Sequence, residues 1–295
     1  MNTLEAQAGN VFGRIATLAA TYGIDTSALF DRLTILTPEL AELAIVNVGD
    51  RFDRISVATQ LAREPQAIAR MRAVCGEVQA RRVERLGVDT RSVYVECDAF
   101  GGASPTTSVQ MFGKRTLDRD LALLAVEGVE PGAIEELRSA AVLAGTEHVG
   151  LVDTESGGKT AWTLHIAQNN RGDEARAATK ARVRAVAERL GLSSAAVNAA
   201  DGLHDPFAKD RDSYLALTVS RELLEPALTV TWSDIAWEHV VRVMIGFYPA
   251  DQTPTKLGGL SGAFGSETAS AIELVLGRTE PPRMRVATIL TKGRA

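Results

Sequence analysis

The sequence predicts an α+β fold in which repeated αββα units bring ten antiparallel strands together as one closed β-barrel ringed by helices. Three observations support this prediction. Strand-like segments come in pairs that a short turn can join, amphipathic helical segments separate the pairs, and the strands alternate apolar with polar residues. This order differs from the β-α-β alternation of a parallel sheet. A sheet with no second sheet to pack on can remove its exposed edges by closing on itself.

The first unit consists of two helices, a hairpin and one long helix. Apolar residues every three to four positions predict helices over residues 4–22 and 26–33. β-branched residues predict a strand over 43–48, and 52–59 is its hairpin partner across a Gly-Asp turn. Residues 63–86, rich in Arg and Ala, predict one amphipathic helix that ends before a glycine.

The same order recurs in the middle of the chain. Strands are predicted over 92–98 and 107–112, and helical sequence follows over 117–143, interrupted by a glycine and a proline. The next hairpin joins strands over 147–153 and 160–168 through a Ser-Gly-Gly turn. The repetition of hairpin and helix is what favours a barrel over separate sheets.

The last third of the chain continues the pattern. A helix that ends at a glycine is followed by two strands, another helix, and a final pair of strands across a turn that contains two prolines. The predicted ranges are 174–190, 213–220, 227–232, 235–247, 269–276 and 284–290.

The predicted strands have one apolar and one polar face. In the strand over 160–168, Trp162 and Leu164 lie on one face. Thr163 and His165 lie on the other. We expect the apolar faces to pack under the helices and the polar faces to line an enclosed chamber. In an open sheet the polar faces would instead point into solvent, and the sequence alone leaves both arrangements open.

Charge and composition limit the classes of partner. The 295 residues carry a formal net charge of -5, and an acidic chain gains little from binding nucleic acid or an anionic membrane. No apolar run approaches the roughly 20 residues that span a bilayer, and the N-terminus does not have the pattern of a secretory signal. We therefore expect a single cytoplasmic domain over residues 1–295, with a small-molecule substrate, no nucleic-acid or membrane partner and, on base rates alone, a homodimer.

No metal and no cofactor is expected. Cys75 and Cys97 do not have the spacing of a zinc knuckle and are too few for a disulfide framework, so we expect two reduced, buried thiols. No pair of histidines has the spacing of metal ligands, and the glycine-rich loops do not match a phosphate or dinucleotide fingerprint.

Three segments carry a resemblance to a known family. They are the hairpin over 43–59, the Gly-Lys-Thr-Ala-Trp-Thr-Leu-His-Ile stretch at 158–166, and the helix end at 185–192. In these segments and in the order of its elements, the chain resembles the bacterial aromatic prenyltransferases of the ABBA, or PT-barrel, fold. The resemblance implies a barrel with an active-site chamber, and it places Lys159 at one of the family's diphosphate-binding lysines and Asp53 near an acidic residue.

Other positions depart from the family pattern. In that family several Lys, Arg and Tyr residues on different strands neutralise the prenyl diphosphate. Here the fourth strand has Thr106, Thr107 and Ser108 at the corresponding positions, and the eighth and ninth strands begin without Arg or Lys. The family also uses aromatic side chains to shield an allylic cation, and these make up only 5% of this chain.

These departures favour a changed chemistry on a retained fold. We expect a natural-product cyclase that closes and aromatises a ring of a small polyketide- or indole-derived intermediate by acid/base catalysis, as in the carbazole-forming cyclases of bacterial alkaloid pathways. The alternative is an aromatic prenyltransferase that uses dimethylallyl or geranyl diphosphate with an atypical diphosphate site. A non-enzymatic carrier is a third hypothesis.

Four residues are the candidates for proton transfer. Glu96 lies on a polar strand face, where desolvation would raise its pKa and make it a base near neutrality. His165 has the side chain best matched to proton transfer near neutral pH. Glu273 and Tyr214 would assist. The competing interpretations are a solvated strand carboxylate for Glu96 and a hydrogen-bonded structural imidazole for His165.

Further polar residues are expected to bind the substrate from the chamber wall. They are Arg54, Gln110, Lys159, Thr163, Thr218, Thr229, Thr231 and Arg285.

Overall fold

Ten antiparallel strands form one closed barrel, which confirms the predicted fold. The computed structural model describes residues 3–49, 53–62, 64–86, 90–100, 106–145, 147–208, 211–221, 227–241, 260, 262, 268–278 and 282–292. Each strand pairs with its neighbours in sequence, and the first strand pairs with the last to complete the ring. The open-sheet alternative is therefore excluded.

The strands lie close to the predicted ranges. They are β1 (Leu43–Gly49), β2 (Arg54–Leu61), β3 (Thr90–Phe100), β4 (Thr107–Gly113), β5 (His148–Ser156), β6 (Lys159–Gln168), β7 (Ser213–Ser220), β8 (Ala227–Ala236), β9 (Thr268–Leu276) and β10 (Arg283–Lys292). A two-glycine turn joins β5 to β6, and both glycines, Gly157 and Gly158, have positive φ angles of 55° and 80°. Such a turn matches the twist of the two strands that it connects.

Helices surround the barrel. They are α1 (Thr3–Tyr22), α2 (Ser27–Ile35), α3 (Thr37–Glu42), α4 (Pro65–Cys75), α5 (Glu77–Leu86), α6 (Leu117–Val126), α7 (Pro131–Ala144), α8 (Asp173–Arg189) and α9 (Ser194–Phe207). Within the described residues, no helix combines the length and the apolarity that crossing a membrane requires.

The prediction of one long helix over residues 63–86 is wrong. The segment is divided into α4 and α5 at Gly76, whose φ of +81° lies in the left-handed region that favours glycine. The apolar periodicity continues across the break, which is why the pattern alone indicated a single helix.

Two helices have no counterpart in the sequence analysis. The short α3 begins at a Thr-Pro pair, with proline in the first turn. The longer α9 is capped by Ser193, whose side chain accepts a hydrogen bond from the backbone amide of Ala196 at 3.2 Å. Gly202 and Pro206 lie inside α9, and both residue types have poor intrinsic helix propensity, which hides the helix in the sequence.

The helix predicted over residues 235–247 begins later than expected. Strand β8 continues to Ala236, and helical backbone starts at Trp237. The part of that prediction after residue 241 lies outside the described residues.

The apolar core lies between the helices and the outer face of the barrel. In β6 the side chains of Trp162, Leu164 and Ile166 are fully buried, while Thr163 and His165 on the other face remain partly accessible. A leucine-, valine- and tryptophan-rich shell therefore holds the barrel from outside and leaves its interior to polar groups.

A buried polar network attaches α5 to the barrel wall. Asp153 accepts hydrogen bonds from Arg82 at 2.6 and 2.9 Å, from Gln79 at 2.9 Å and from the indole of Trp162 at 3.1 Å. Both oxygens of this fully buried carboxylate are satisfied, as a buried charge requires.

Candidate functional site

The barrel encloses a cavity of about 1370 Å³, which we call the chamber. Inward-facing residues of all ten strands line it. The predicted site residues among them are Arg54, Glu96, Gln110, Thr163, His165, Tyr214, Thr218, Thr229, Thr231, Glu273 and Arg285. Lys159 does not line the chamber, because it is the first residue of β6 and its side chain is exposed beside the two-glycine turn.

Glu96 is held by four donors. Its Oε1 accepts hydrogen bonds from Asn47 Nδ2 at 3.0 Å, from Arg285 Nη2 at 2.7 Å and from the Ser56 hydroxyl. Its Oε2 accepts one from Gln110 Nε2 at 2.9 Å. The donors come from β1, β10, β2 and β4, so the carboxylate joins strands on both sides of β3.

The raised pKa expected for Glu96 is wrong. Burial alone would raise it, but the charge of Arg285 and the hydrogen bond from Ser56 favour the carboxylate and hold the pKa of Glu96 below its ordinary value. A carboxylate whose lone pairs are already engaged by four donors is a poor proton acceptor. Glu96 therefore serves as an anchor for the polar side chains around it.

Arg285 lies between two carboxylates. Besides its bond to Glu96, its Nη1 lies 3.3 Å from Oε2 of Glu273. Burial disfavours the guanidinium charge, but Glu273 and Glu96 outweigh that effect and raise the pKa of Arg285. Strand register aligns Tyr214, Thr231, Glu273 and Arg285 as consecutive cross-strand neighbours over β7 to β10.

A second ion pair, between a partly exposed arginine and a buried carboxylate, lies on the same side of the chamber. Arg54 on β2 contacts the carboxylate of Asp98 on β3. Burial is the main effect on Asp98 and raises its pKa, although the charge of Arg54 opposes it. We call Asn47, Arg54, Ser56, Glu96, Asp98, Glu273 and Arg285 the polar cluster. Both of its guanidinium groups are neutralised by carboxylates.

His165 has a different environment from Glu96. Within the described part of the chain, its imidazole has no hydrogen-bonding partner, and it lines the chamber. Burial, with a smaller effect from His148, lowers the pKa of His165 to about 4. The imidazole is therefore neutral near pH 7, and one ring nitrogen offers a lone pair to a ligand.

Threonine hydroxyls extend the polar wall next to His165. Thr163 Oγ1 and Thr218 Oγ1 lie 2.9 Å apart on neighbouring strands and share a hydrogen bond. Thr229 follows His165 across the sheet, separated from it by Ala216.

Charged residues also surround the end of the barrel from which the helices depart. We call Arg91, Lys114, Glu147, Arg171 and Asp212 the rim. All five are exposed and border the chamber. The three cations of the rim make no ion pair with any described residue. Burial, followed by the charges of Asp212 and Glu147, raises the pKa of Tyr214, which places both acids near that side chain.

Several of these residues were not predicted from the sequence. Asp98 lies two positions after Glu96, and alternation along β3 puts both on the inner face. Asn47 and Ser56 are cross-strand partners in the hairpin of β1 and β2, but the hairpin prediction did not specify this register. No short-range signal marks the rim, because its members lie at or just beyond strand ends. The described residues also contain no group of three or more His, Cys, Asp or Glu that could hold a metal ion.

No protein-family model matches this sequence, and no curated protein matches it either. Similarity appears when solved structures are compared. The 6-dimethylallyltryptophan synthase of Micromonospora olivasterospora, in complex with DMASPP and Trp, is similar with a TM-score of 0.65 over 97% of this chain and 98% of that one, at 14% identity. The chain has the ABBA, or PT-barrel, fold. The 5-dimethylallyltryptophan synthase of Streptomyces coelicolor has a TM-score of 0.62, with coverage of 96% and 97% and 11% identity.

A third similar structure is the ternary complex of the prenyltransferase PriB with L-tryptophan and dimethylallyl thiolodiphosphate. Its TM-score is 0.62, its identity is 12%, and 98% of both chains is covered. At identities this low, the comparisons establish the fold of the chain, and its chemistry has to be argued from its own residues.

Proposed function

We propose that the chain is an enzyme that transfers a prenyl group from an allylic diphosphate to a small aromatic acceptor. The observation that carries this proposal is the size and division of the chamber. Its volume of about 1370 Å³ exceeds the roughly 300–1,000 Å³ of a typical single-ligand pocket. Its charged groups also fall into two sets, the polar cluster and the rim. A two-substrate transfer needs this room, whereas the closure of one ring does not.

The rim supports a diphosphate subsite. A diphosphate needs several cations, both to bind and to stabilise it as a leaving group. Arg91 is the second residue of β3, Lys114 directly follows the last residue of the neighbouring β4, and Arg171 lies three residues after the end of β6. Unlike the guanidinium groups of the polar cluster, these three have no carboxylate partner among the residues that the structure describes.

The aromatic side chains of the chamber lie next to that subsite. The Tyr94 and Phe112 rings meet edge to face with centroids 6.0 Å apart. Phe112 pairs with Ser92, the residue after Arg91. Ring faces stabilise a nearby cation, so this placement suits an allylic carbon that becomes electron-deficient as the diphosphate departs.

The proposed reaction breaks one bond, forms one bond and releases one proton, and a side chain of the chamber can accept that proton. The bond between the allylic carbon and the diphosphate oxygen breaks, and the diphosphate leaves with the electron pair. A carbon of the acceptor ring forms the new bond to the allylic carbon. The proton lost from that ring carbon passes to the neutral imidazole of His165, while the polar cluster and the paired threonines hold the polar groups of the acceptor.

Binding of dimethylallyl thiolodiphosphate, measured by calorimetry, tests the donor site. Lys114→Gln removes one charge-assisted contact with the diphosphate. It should weaken the binding of the thiolodiphosphate about tenfold, or by about 1.4 kcal/mol. The matched control is Lys159→Gln, which removes the lysine that the family resemblance indicated but that lies outside the chamber; it should leave the affinity unchanged. Absence of binding, or equal loss in both variants, would contradict the assignment. The transfer itself is then tested by incubating the protein with dimethylallyl diphosphate and either tryptophan or another aromatic acceptor. Mass spectrometry detects the prenylated product.

A cyclase remains the second candidate because one observation favours it. Both guanidinium groups of the polar cluster are already neutralised, and His165 is a neutral imidazole with no partner among the described residues. Such a chamber suits proton transfer on an uncharged intermediate. If the thiolodiphosphate does not bind, while native mass spectrometry detects a co-purified neutral aromatic compound that His165→Gln no longer retains, the cyclase is favoured.

A further inference from the structure

One position on the inner face of the barrel, Gly150, has no side chain. This residue lies on β5, with Phe112 of β4 and His165 of β6 as its direct cross-strand neighbours. The register of β5 shifts between His148 and Gly150. This irregularity turns the His148 side chain outward, where it contacts Asp120, and leaves Gly150 beside two chamber-lining residues.

The missing side chain brings together two residues that would otherwise be separated. Strands two apart lie roughly 10 Å from one another, so a side chain on the middle strand normally stands between them. Here the rings of Phe112 and His165 meet over Gly150 with centroids 5.5 Å apart and an angle of 77° between their planes.

The space over Gly150 is fully occupied by Phe112. A Cβ atom at position 150 would lie 2.5 Å from Cδ1 and 2.6 Å from Cε1 of the Phe112 ring. Neither separation is compatible with van der Waals contact, so the ring would have to move. The φ of Gly150 is not in the left-handed region, and the requirement for glycine is therefore one of space.

We infer that Phe112 is the positioning residue of His165. Position 150 requires glycine because any side chain there would keep the Phe112 ring from packing against the imidazole. The edge-to-face contact fixes the plane of the imidazole and covers one side of it. Burial is the main cause of the low pKa of His165, and the Phe112 ring contributes to that burial through its contact with the imidazole. The inference rests on the proposed role of His165 as proton acceptor, but the contact itself can be tested without any reaction.

The test is a pH titration of the His165 ring signals by NMR. Phe112→Ala should raise the pKa of His165 from about 4 by about one unit or more, because water reaches the uncovered face, and should change the ring-current shifts of its protons. The matched control is Phe12→Ala, which removes a phenylalanine that packs on Phe30 in the core outside the barrel; it should leave the titration unchanged. An unaltered titration in Phe112→Ala would overturn the inference.

Gly150→Ala provides an independent arm. Its methyl group should displace the Phe112 ring and move the His165 signals, whereas in the Phe112→Ala background the same substitution should have almost no further effect. Additive effects would contradict the geometry. If prenyl transfer is confirmed, the acid limb of kcat/KM should shift upward with the pKa of His165 in Phe112→Ala. If it is not, the NMR result still decides whether Phe112 positions His165.

Discussion

Replacing Glu96 by Gln should lower the free energy of unfolding by about 3 kcal/mol, the lower end of the range for breaking a buried ion pair. The lower end applies because Arg285 keeps a second carboxylate, Glu273, at 3.3 Å. Arg285→Met should cost less, about 2 kcal/mol, because the Glu96 carboxylate keeps its donors from Asn47, Ser56 and Gln110.

The double variant, Glu96→Gln with Arg285→Met, measures the interaction between these two residues apart from their contacts with other residues. With both charges removed, neither partner is left buried and uncompensated, so the total loss should fall short of the sum of the single losses by about 2 kcal/mol. Urea unfolding of the four proteins at pH 7, followed by circular dichroism, measures this coupling. Losses that add to within about 0.5 kcal/mol would show that Glu96 does not anchor Arg285.

Two further predictions concern pH and the buried network on α5. The pKa of His165 in the folded protein, about 4, is below the ordinary 6.5, so the unfolded chain takes up a proton first as the pH falls. The wild-type protein should therefore lose about 3 kcal/mol of stability between pH 6.5 and 4, and His165→Gln should not. Urea unfolding at each pH measures this, and parallel stability profiles of the two proteins would contradict the prediction. Asp153→Asn leaves Arg82 buried with only the half-buried Glu155 as its anionic partner. Thermal unfolding should therefore show a destabilisation of about 3 kcal/mol. An unchanged Tm would show that the network adds little to the attachment of α5.

Alternation of side chains made the barrel and most of its lining predictable. In β6 the period of two alone separates Trp162 and Leu164 from Thr163 and His165, and the structure keeps that division. The same rule places Glu96 and Gln110 inside. Closure followed from the absence of a second sheet, which is a property of the whole chain.

The electrostatics of the chamber could not be predicted in the same way. The pKa of Glu96 depends on Arg285, which lies 189 positions away in sequence, and on strand register that the sequence does not specify. Likewise, Lys159 has the same parity along β6 as Thr163 and His165, yet it lies outside the chamber because it is the first residue of the strand. The contact between Phe112 and His165 depends on a β-bulge before Gly150, for which the sequence has no clear signal.

The strand order has a consequence for how the chain is made. Nine of the ten strand pairings join sequence neighbours, and only the seam between β1 and β10 joins opposite ends of the chain. During synthesis, hairpins can form as soon as each leaves the ribosome, because their loops are short. Until β10 emerges, however, the growing sheet has two unpaired edges that could add a strand from another nascent chain. The last ten-residue strand thus acts as the closing piece of the assembly.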